Sequence, residues 1–367
     1  MKYLFINVVA GNTSTGRIAA EQCRELQKEG HECVFAYGRW KANCDDIKTV
    51  KIGNKLDYEM HGVLTRLFDI NGFASKRATR KFLKWAEEYN PDVVWLHNIH
   101  GYYINIEMLF AWIKSRPDMQ VKWTLHDCWA LTGHCAYFSA VNCMQWKVKC
   151  QNCSQLRKYP GCYFISSVEK NYMRKKYAFT GVNNMVLIVP SNWLANLVKQ
   201  SYLREYPIEV VYNKIDTNIF KPTPSDFRRK YSIENKIMIL GVANVWEERK
   251  GLYEFYQLAK MLSDKYVIVL VGLSKKQIKN KPKNVIGIGR TDNVSELAGI
   301  YTTADVHVCL SVEETFGMTA VEAKACGTPV IVYENTACEE IARTNGGIVI
   351  RHDINELYRI IKEITYR

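Results

Sequence analysis

Two glutamates, Glu314 and Glu322, are the residues of this 367-residue chain best spaced to hold a polar ligand. They lie in the segment ETFGMTAVEAKACGTPV, around the predicted start of a helix near Gly317. The N–H groups and the dipole of a helix N-terminus attract anions, and carboxylates accept hydrogen bonds from vicinal hydroxyls. The spacing therefore favours a ligand with a diphosphate between two hydroxyl-bearing groups. The alternative is a structural role for both residues. In it, Glu314 caps the helix and Glu322 forms an ion pair with a nearby Lys or Arg.

The elements that must position these glutamates follow from the apolar runs. Near-continuous Val, Ile and Leu runs are typical of parallel strands buried on both faces. Such runs alternate with amphipathic helical stretches through most of the chain, with predicted helices at 16–29, 74–89, 251–262 and 293–302. The runs that predict strands are KYLFINVVA, HECVFAY, DVVWLH, VKWTLHD and NMVLIVPS in the first half and KIMILGVAN, KYVIVLVGL, NVIGIG, ADVHVCLS, TPVIVY and GGIVI in the second. The pattern predicts an α/β protein with two doubly wound parallel sheets, whose ligands bind beyond the carboxyl ends of the strands.

The chain is long enough for two domains. A segment rich in turn residues, YNKIDTNIFKPTPSD, lies near the expected seam. We predict a first domain at 1–189, with a cysteine-rich insertion at 128–162, and a second domain at 190–367. The ligand site is expected in the cleft between them.

Composition narrows the class of protein. The opening MKYLFINVVAG leads directly into a glycine loop, so we interpret it as a first strand rather than a signal peptide and predict a cytoplasmic protein. The formal net charge is +13, and residues 1–188 carry 26 basic and 16 acidic side chains. This excess predicts an anionic partner for the first half: a membrane surface, a phosphorylated substrate or nucleic acid.

Several motifs in a fixed order resemble those of retaining glycosyltransferase family 4. The segment ETFGMTAVEAKACGTPVIV matches its pair of glutamates with a trailing Ala-x-Gly-x-Pro-Val. The glycine loop, TLHD, VPSNWL, YNKID, GVANVWEERKGL and IGIGR extend the resemblance over nearly the whole chain. The similarity is greatest to the branch that builds capsular and exopolysaccharide chains. It implies the GT-B architecture, two Rossmann-like domains facing across a cleft. It also implies that the predicted C-terminal helix at 355–367 crosses back to the first domain.

The resemblance assigns the donor site to the second domain. It implies that Glu314 contacts hydroxyls of the donor sugar, that Glu322 holds the ribose and that Lys250 neutralises the diphosphate. It also implies that the backbone of three residues meets the diphosphate or the sugar: Thr315, Phe316 and Gly317.

The chain departs from the family at one phosphate contact. Asn244 stands where the family usually places an arginine. Arg249, beside Lys250, would replace that arginine or would be an ordinary surface residue. Arg290 is expected near the nucleotide base.

The resemblance implies an acceptor side in the first domain. His126 in TLHD is expected near the transferred sugar, with Asp127 orienting it or acting on the acceptor. His97 and His100 end the neighbouring strand and are weaker candidates for acceptor contact. The loop Gly11 to Arg17 is expected at the cleft, where its glycines allow close backbone approach, and Gly16 is expected to bind the donor.

The chemistry implied is transfer without a catalytic metal. No Asp-x-Asp motif occurs in the sequence, and Lys250 with the helix dipole would replace the ion. The family retains anomeric configuration through a same-face attack. The substrates implied are a nucleotide sugar and a glycan or lipid-linked glycan acceptor.

The cysteine-rich insertion suggests a structural metal. Cys135, Cys143, Cys150 and Cys153 follow the spacing C-x(7)-C-x(6)-C-x(2)-C. Four such thiols can close a tetrahedral zinc site, with Cys162 as an alternative ligand. Buried free thiols and disulfides are the two other interpretations.

A basic helix gives the anionic partner a location. ASKRATRKFLKWAEEY places five basic residues on one helical face: Lys76, Arg77, Arg80, Lys81 and Lys84. The face is either an ordinary solvated one or a contact with anionic lipid at the inner face of the membrane.

The leading prediction is a glycosyltransferase of cell-surface polysaccharide synthesis that binds no nucleic acid. The alternatives are a GT-B nucleotide-sugar epimerase and a non-enzymatic protein that binds membrane or nucleic acid.

Overall fold

The computed structural model describes residues 1–291 and 293–365 and divides the chain into two compact units, Met1–Tyr212 and Asn213–Arg367. Each unit contains one sheet in which every strand pairing is parallel. Helices connect the strands, as parallel pairing requires. The predicted fold class, two doubly wound α/β sheets, is confirmed.

The first sheet has seven strands in the order β3-β2-β1-β4-β5-β6-β7. The strands are β1 (Lys2–Asn7), β2 (Glu32–Tyr37), β3 (Lys48–Lys51), β4 (Val93–Leu96), β5 (Gln120–Thr124), β6 (Met185–Val189) and β7 (Ile208–Val210). The helices are α1 (Thr13–Lys28), α2 (Lys55–Phe68), α3 (Lys76–Tyr89), α4 (Ile106–Lys114), α5 (Val168–Phe179) and α6 (Asn192–Val198). The five central strands lie where the apolar runs predicted them.

The second sheet has six strands in the order β10-β9-β8-β11-β12-β13. They are β8 (Ile237–Val242), β9 (Tyr266–Val271), β10 (Val285–Ile288), β11 (Val306–Cys309), β12 (Val330–Tyr333) and β13 (Ile348–Ile350). The helices are α7 (Phe227–Lys230), α8 (Leu252–Met261), α9 (Lys275–Asn280), α10 (Val294–Thr303), α11 (Met318–Ala325), α12 (Ala337–Thr344) and α13 (Ile354–Thr365). All six strands were predicted.

Strand order brings distant segments together at the carboxyl ends of the strands in each sheet. In the first sheet β4 pairs with β5, so the loops after Leu96 and Thr124 are neighbours. In the second sheet β8 pairs with β11, with Leu240 opposite His307. The loops after these two strands therefore meet, although their sequences are more than 60 residues apart. The candidate residues lie at these two edges.

One boundary differs from the prediction. The first unit extends to Tyr212 rather than ending at residue 189, because β7 pairs with β6 at the edge of the first sheet. Whether the last helix crosses back to the first domain stays a prediction. Leu357 and Ile361 of α13 are buried in the core of the second unit, where α13 packs against α8. Residues 366 and 367, included in the predicted helix, lie outside the described residues.

Candidate active site

The second sheet carries an ion pair at the carboxyl ends of β8 and β11. The side chains of Lys250, which follows β8, and Glu314, which follows β11, form a salt bridge, and both are largely buried. The backbones of the two loops are also joined, since the N–H of Val312 donates to the carbonyl of Arg249 at 3.0 Å. The structure thus brings together two residues that the sequence analysis placed in one site.

Two glycines allow this close approach. Gly251 has a φ of +75°, and a Cβ there would lie 2.4 Å from Cβ of Leu310. Gly317 has a φ of +92°, and its Cβ would lie 2.5 Å from Sγ of Cys338. Both distances are shorter than any carbon contact tolerates, and both angles are in the left-handed region that favours glycine. Larger residues at either position would push the Lys250 and Glu314 loops out of place.

The neighbouring cations set the charge of Glu314. Burial would raise the pKa of this carboxyl, but the Lys250 ammonium, with a smaller contribution from Arg249, outweighs it and holds the pKa below its ordinary value. Glu314 is therefore a carboxylate at neutral pH. It is able to accept hydrogen bonds from a ligand's hydroxyl groups.

Glu322 lies inside α11, four residues beyond its first residue, and is almost fully buried. The hydroxyl of Tyr301, on α10, donates to its Oε2 at 3.0 Å. This bond fixes the carboxylate from one side. Sequence analysis did not single out Tyr301, because its contact with Glu322 depends on how α10 and α11 pack.

Arg249 is oriented by protein groups. Its Nε lies 3.2 Å from Oε2 of Glu247, and its Nη1 donates to the carbonyl of Glu313 at 3.2 Å. Asn244, where the family arginine is expected, follows β8 and is exposed. Arg249 is thus directed toward Glu247 and the Glu314 loop. Whether it also takes the missing arginine's role stays a prediction.

The remaining donor-side candidates lie at the same edge of the second sheet. Phe316 is buried and Thr315 is half-buried in the loop before α11. Arg290 is exposed just after β10. Because carboxyl ends of parallel strands share one edge, all of them lie on the side that holds Lys250 and Glu314.

The first sheet carries neutral histidines at the carboxyl ends of β4 and β5. Nδ1 of His97 and Nε2 of His126 are 3.0 Å apart, so one ring donates to the other. Burial lowers the pKa of His126 to about 4 and that of His97 well below its ordinary value. Both imidazoles are therefore uncharged near neutral pH. They line a small pocket with four further polar residues: Asn98, His100, Thr124 and Asp127.

A second chain of hydrogen bonds begins at Asp127. Nε2 of His100 lies 2.9 Å from Oδ2 of Asp127, and Nδ1 of His100 lies 2.8 Å from Oη of Tyr159. The other carboxylate oxygen of Asp127 accepts from the N–H of Trp129 at 2.9 Å. Asp127 thus orients His100, and its predicted role toward His126 stays a prediction. Tyr159 belongs to the cysteine-rich insertion, and sequence analysis did not identify it because no local pattern relates it to His100.

The glycine loop is shorter than predicted. α1 begins at Thr13, so Gly16 lies within its first turn instead of in the loop. A Cβ at Gly16 would lie 3.0 Å from the carbonyl of Val9, so this glycine lets α1 pack against the loop after β1. The observed role of Gly16 is close packing. A direct donor contact stays a prediction.

The cysteine-rich insertion contains an interacting pair of thiols. A hydrogen bond from Cys135 lowers the pKa of Cys153 to about 6. Cys150 is buried, which raises its pKa to about 11, and Cys143 is half-buried. His134 is bound to Asp69. Within residues 1–291 and 293–365, no three or more His, Cys, Asp or Glu side chains are arranged to hold a metal ion. Zinc binding by the four cysteines stays a prediction.

The basic helix is present as α3, and its five predicted basic residues are exposed. Its opposite face packs into the core through Ala78, Thr79, Phe82 and Ala86. Among the described helices, none is long and apolar enough to cross a bilayer.

Two family models match the chain and together cover most of it. The model described as Glycosyltransferase Family 4 matches residues 15–219, more than half of the chain. The model described as Glycosyl transferases group 1 matches residues 224–365. The first falls mainly on the first unit and the second falls within the second unit.

Two curated relatives are transferases. WcaC of Escherichia coli K12, described as a colanic acid biosynthesis glycosyl transferase, is 23% identical over 99% of this chain and 90% of its own length. The processive diacylglycerol alpha-glucosyltransferase of Acholeplasma laidlawii is 30% identical over 49% of this chain and 58% of its own length.

Solved structures with the same fold are GT-B glycosyltransferases. Sucrose-phosphate synthase from Thermosynechococcus elongatus has a TM-score of 0.70 at 17% identity, covering 100% of this chain and 90% of its own. HepE of Anabaena, in complex with UDP and glucose, has a TM-score of 0.65 at 16% identity, covering 99% and 89%. The chain belongs to glycosyltransferase family 4 and is a glycosyltransferase with the GT-B fold.

Proposed function

We propose that the protein moves a sugar from a nucleotide-diphosphate sugar to a glycan acceptor, with retention of configuration and without a catalytic metal. The observation that carries this proposal is the buried Lys250–Glu314 pair at the carboxyl ends of β8 and β11. A cation suited to a diphosphate lies there beside a carboxylate suited to sugar hydroxyls, which supports the proposal. Complexes of HepE with UDP and with UDP-glucose support a donor of this class.

Each donor-side residue has a proposed role. Lys250 stabilises the negative charge that develops on the departing diphosphate, where preorganised positive charge lowers the barrier. Glu314 accepts hydrogen bonds from the transferred sugar, and Glu322 accepts them from the ribose. The backbone of Thr315, Phe316 and Gly317 lies at the N-terminus of α11, whose dipole also favours the diphosphate.

The reaction proceeds on one face of the donor sugar. A bond forms between an acceptor oxygen and the anomeric carbon while the bond from that carbon to the diphosphate oxygen breaks. The acceptor's proton passes to the departing diphosphate. His126 and Asp127 act on the acceptor side, where uncharged His126 exchanges hydrogen bonds with hydroxyl groups and Asp127 orients His100.

The biological setting is cell-surface polysaccharide synthesis, of the capsular or exopolysaccharide kind. WcaC is described as an enzyme of colanic acid biosynthesis. A relative from Campylobacter jejuni is named for a diphospho-undecaprenol substrate. A lipid-linked glycan is therefore the proposed acceptor, and the exposed basic face of α3 is the proposed contact with anionic headgroups. Structural zinc in the insertion stays a prediction that zinc analysis of the purified protein would test.

Thermal stability in the presence of nucleotide sugars tests the donor site. A ligand at about 100 times its dissociation constant stabilises the folded state by roughly 2.7 kcal/mol. We expect one nucleotide series to raise the melting temperature of the wild type but not of Glu322→Ala. Glu363→Ala, an exposed carboxylate on α13, is the matched control and should respond as the wild type does. No response of folded wild type to any nucleotide sugar would contradict the proposal.

A further inference from the structure

Arg39 is a cation of the first unit that the roles assigned so far do not use. It follows β2, and its N–H donates to the carbonyl of Val8, just after β1, at 2.9 Å. Both loops lie at the carboxyl ends of the strands, and β1 pairs with β4. Arg39 therefore lies on the side of the first sheet that carries His97 and His126, where ligands of such sheets bind.

The guanidinium of Arg39 is held by aromatic rings and not by an acidic group. Its Cζ lies 5.6 Å from the ring centroid of Trp40 and 5.1 Å from that of Tyr58, on α2. Within the described residues Arg39 forms no ion pair, and its Nε is buried without a hydrogen-bond partner. A buried N–H of a charged group costs free energy unless it finds an acceptor. Anionic oxygen atoms of a ligand would satisfy this group.

A second arginine lies near the same tyrosines. Arg66 is exposed in the last turn of α2 and likewise has no ion pair in the described part of the chain. A Cβ at Gly62 would lie 3.1 Å from Nη1 of Arg66 and 3.8 Å from Cδ2 of Tyr102, so the guanidinium and this ring lie over the same glycine. Burial raises the pKa of the Tyr102 hydroxyl, and the charges of Arg66 and Arg39 oppose that rise. Both cations are therefore close to Tyr102.

The two arginines border the hydrogen bonds of the acceptor side. Oη of Tyr102 donates to the carbonyl of the residue after Tyr159 at 2.8 Å, and Tyr159 bonds His100. The Tyr159 residue is 41% exposed, but its hydroxyl is enclosed by protein, which raises its pKa, and the charge of Arg39 opposes the rise. The nearby carboxylate of Asp127 does not neutralise the arginines, because its oxygens are bonded to His100 and to a backbone N–H.

We propose that Arg39 and Arg66 form an anion subsite for a negatively charged sugar of the acceptor glycan, one that carries a carboxylate or a phosphate. Guanidinium groups match the oxygens of both anions in geometry and charge. The hydrogen bonds from Tyr159 through His100 to Asp127 then face hydroxyl groups of the same glycan. This inference rests on the proposed function and deepens it by naming the class of acceptor. A neutral glycan would leave both cations without a partner, so the subsite selects against it.

Thermal unfolding of the full chain with three sugars tests the subsite. The probes are glucuronate, glucose 6-phosphate and glucose, at equal concentration and ionic strength, which share one ring and differ in the charge carried at a single carbon. The variants are Arg39→Gln and Arg66→Gln. Since Arg66 is exposed, its replacement leaves the fold intact. Arg77→Gln, which replaces an exposed arginine of α3, is the matched control.

We expect a charged sugar to raise the melting temperature of the wild type and of the control more than glucose does. A response to glucuronate identifies an acidic sugar as the acceptor, and a response to glucose 6-phosphate identifies a phosphorylated one. Each variant should bind that probe about tenfold or more weakly, because a charge-assisted hydrogen bond is lost.

The response to nucleotide sugars should be unchanged in both variants, which separates failure of the subsite from failure of the donor site. The proposal is overturned if the wild type responds to neither charged sugar, or responds to glucose equally. It is also overturned if folded Arg39→Gln and Arg66→Gln proteins respond to the charged sugars as the control does, because the anion would then bind elsewhere.

Discussion

The two sheets present different chemistry at the carboxyl ends of their strands. We call these ends the charged edge of the second sheet and the neutral edge of the first sheet. After β8 and β11 of the second sheet lie charged groups in contact, Lys250 with Glu314 and Arg249 with Glu247. After β4 and β5 of the first sheet lie His97 and His126, which burial keeps uncharged. A charged edge suits a diphosphate, whose binding depends on a nearby cation, whereas a neutral edge exchanges hydrogen bonds with hydroxyl groups. The difference assigns donor and acceptor sides in the proposed function.

The sharpest way to break this comparison is to remove the cation of the charged edge. Lys250→Ala should lower kcat/KM about 10²- to 10³-fold, because an electrostatic contact to the developing charge is lost and Glu314 is left without its partner. Steady-state kinetics with the identified donor would measure this loss. Lys324→Ala, an exposed lysine on α11, is the control and should retain activity. Near-normal turnover in a folded Lys250→Ala protein would show that Lys250 has no role in the reaction.

The neutral edge should make the protein sensitive to acid. The pKa of His126 is about 4 in the folded protein and about 6.5 in an unfolded chain. Between these values the unfolded chain binds the additional proton, so the free energy of unfolding falls as pH falls from about 6.5 to 4. A single histidine with this shift contributes on the order of 3 kcal/mol over that window.

Urea unfolding of the wild type and His126→Asn at pH 7, 5.5 and 4.5 would measure this effect. We expect a shallower decline in the variant. His307, buried in the second sheet with a pKa lowered to about 3, provides the comparison, and His307→Asn should also flatten the curve. Equal pH dependence in wild type and His126→Asn would show that His126 is not buried in its neutral form.

The acceptor assignment is sharpened by Tyr159→Phe. This change removes the hydroxyl that bonds His100 while keeping the ring, and a lost hydrogen bond of this kind costs about 0.5–1.5 kcal/mol. We expect KM for the acceptor to rise roughly 3- to 10-fold, with unchanged donor binding in the thermal assay. If Tyr159→Phe changed donor binding alone, Tyr159 would belong to the donor side and not to the acceptor side.

The corresponding small change on the charged edge is Tyr301→Phe. It removes the hydrogen bond that orients Glu322, so the donor should bind a few-fold more weakly while acceptor KM stays constant. Thermal titration with the donor and initial rates at varied acceptor would separate these effects. If Tyr159→Phe and Tyr301→Phe changed the same constant, the division between the two edges would be wrong.

The elements missed by sequence analysis share a physical cause. β3 and β7 have four and three residues and are the two outermost strands of the first sheet. Both are largely exposed, so neither produces a continuous apolar run. Missing β7 also moved the predicted domain boundary.

By itself the sequence determined the central strands and the order of the motifs, because buried parallel strands need continuous apolar runs and the motifs are local. It thereby determined that the Glu314 loop ends a strand and begins a helix. Tertiary structure decided which residues meet across long separations. Lys250 reaches Glu314 because β8 pairs with β11, and Tyr159 reaches His100 because the insertion returns to the end of β4. Strand order and helix packing come from the whole core, and no local spacing records them.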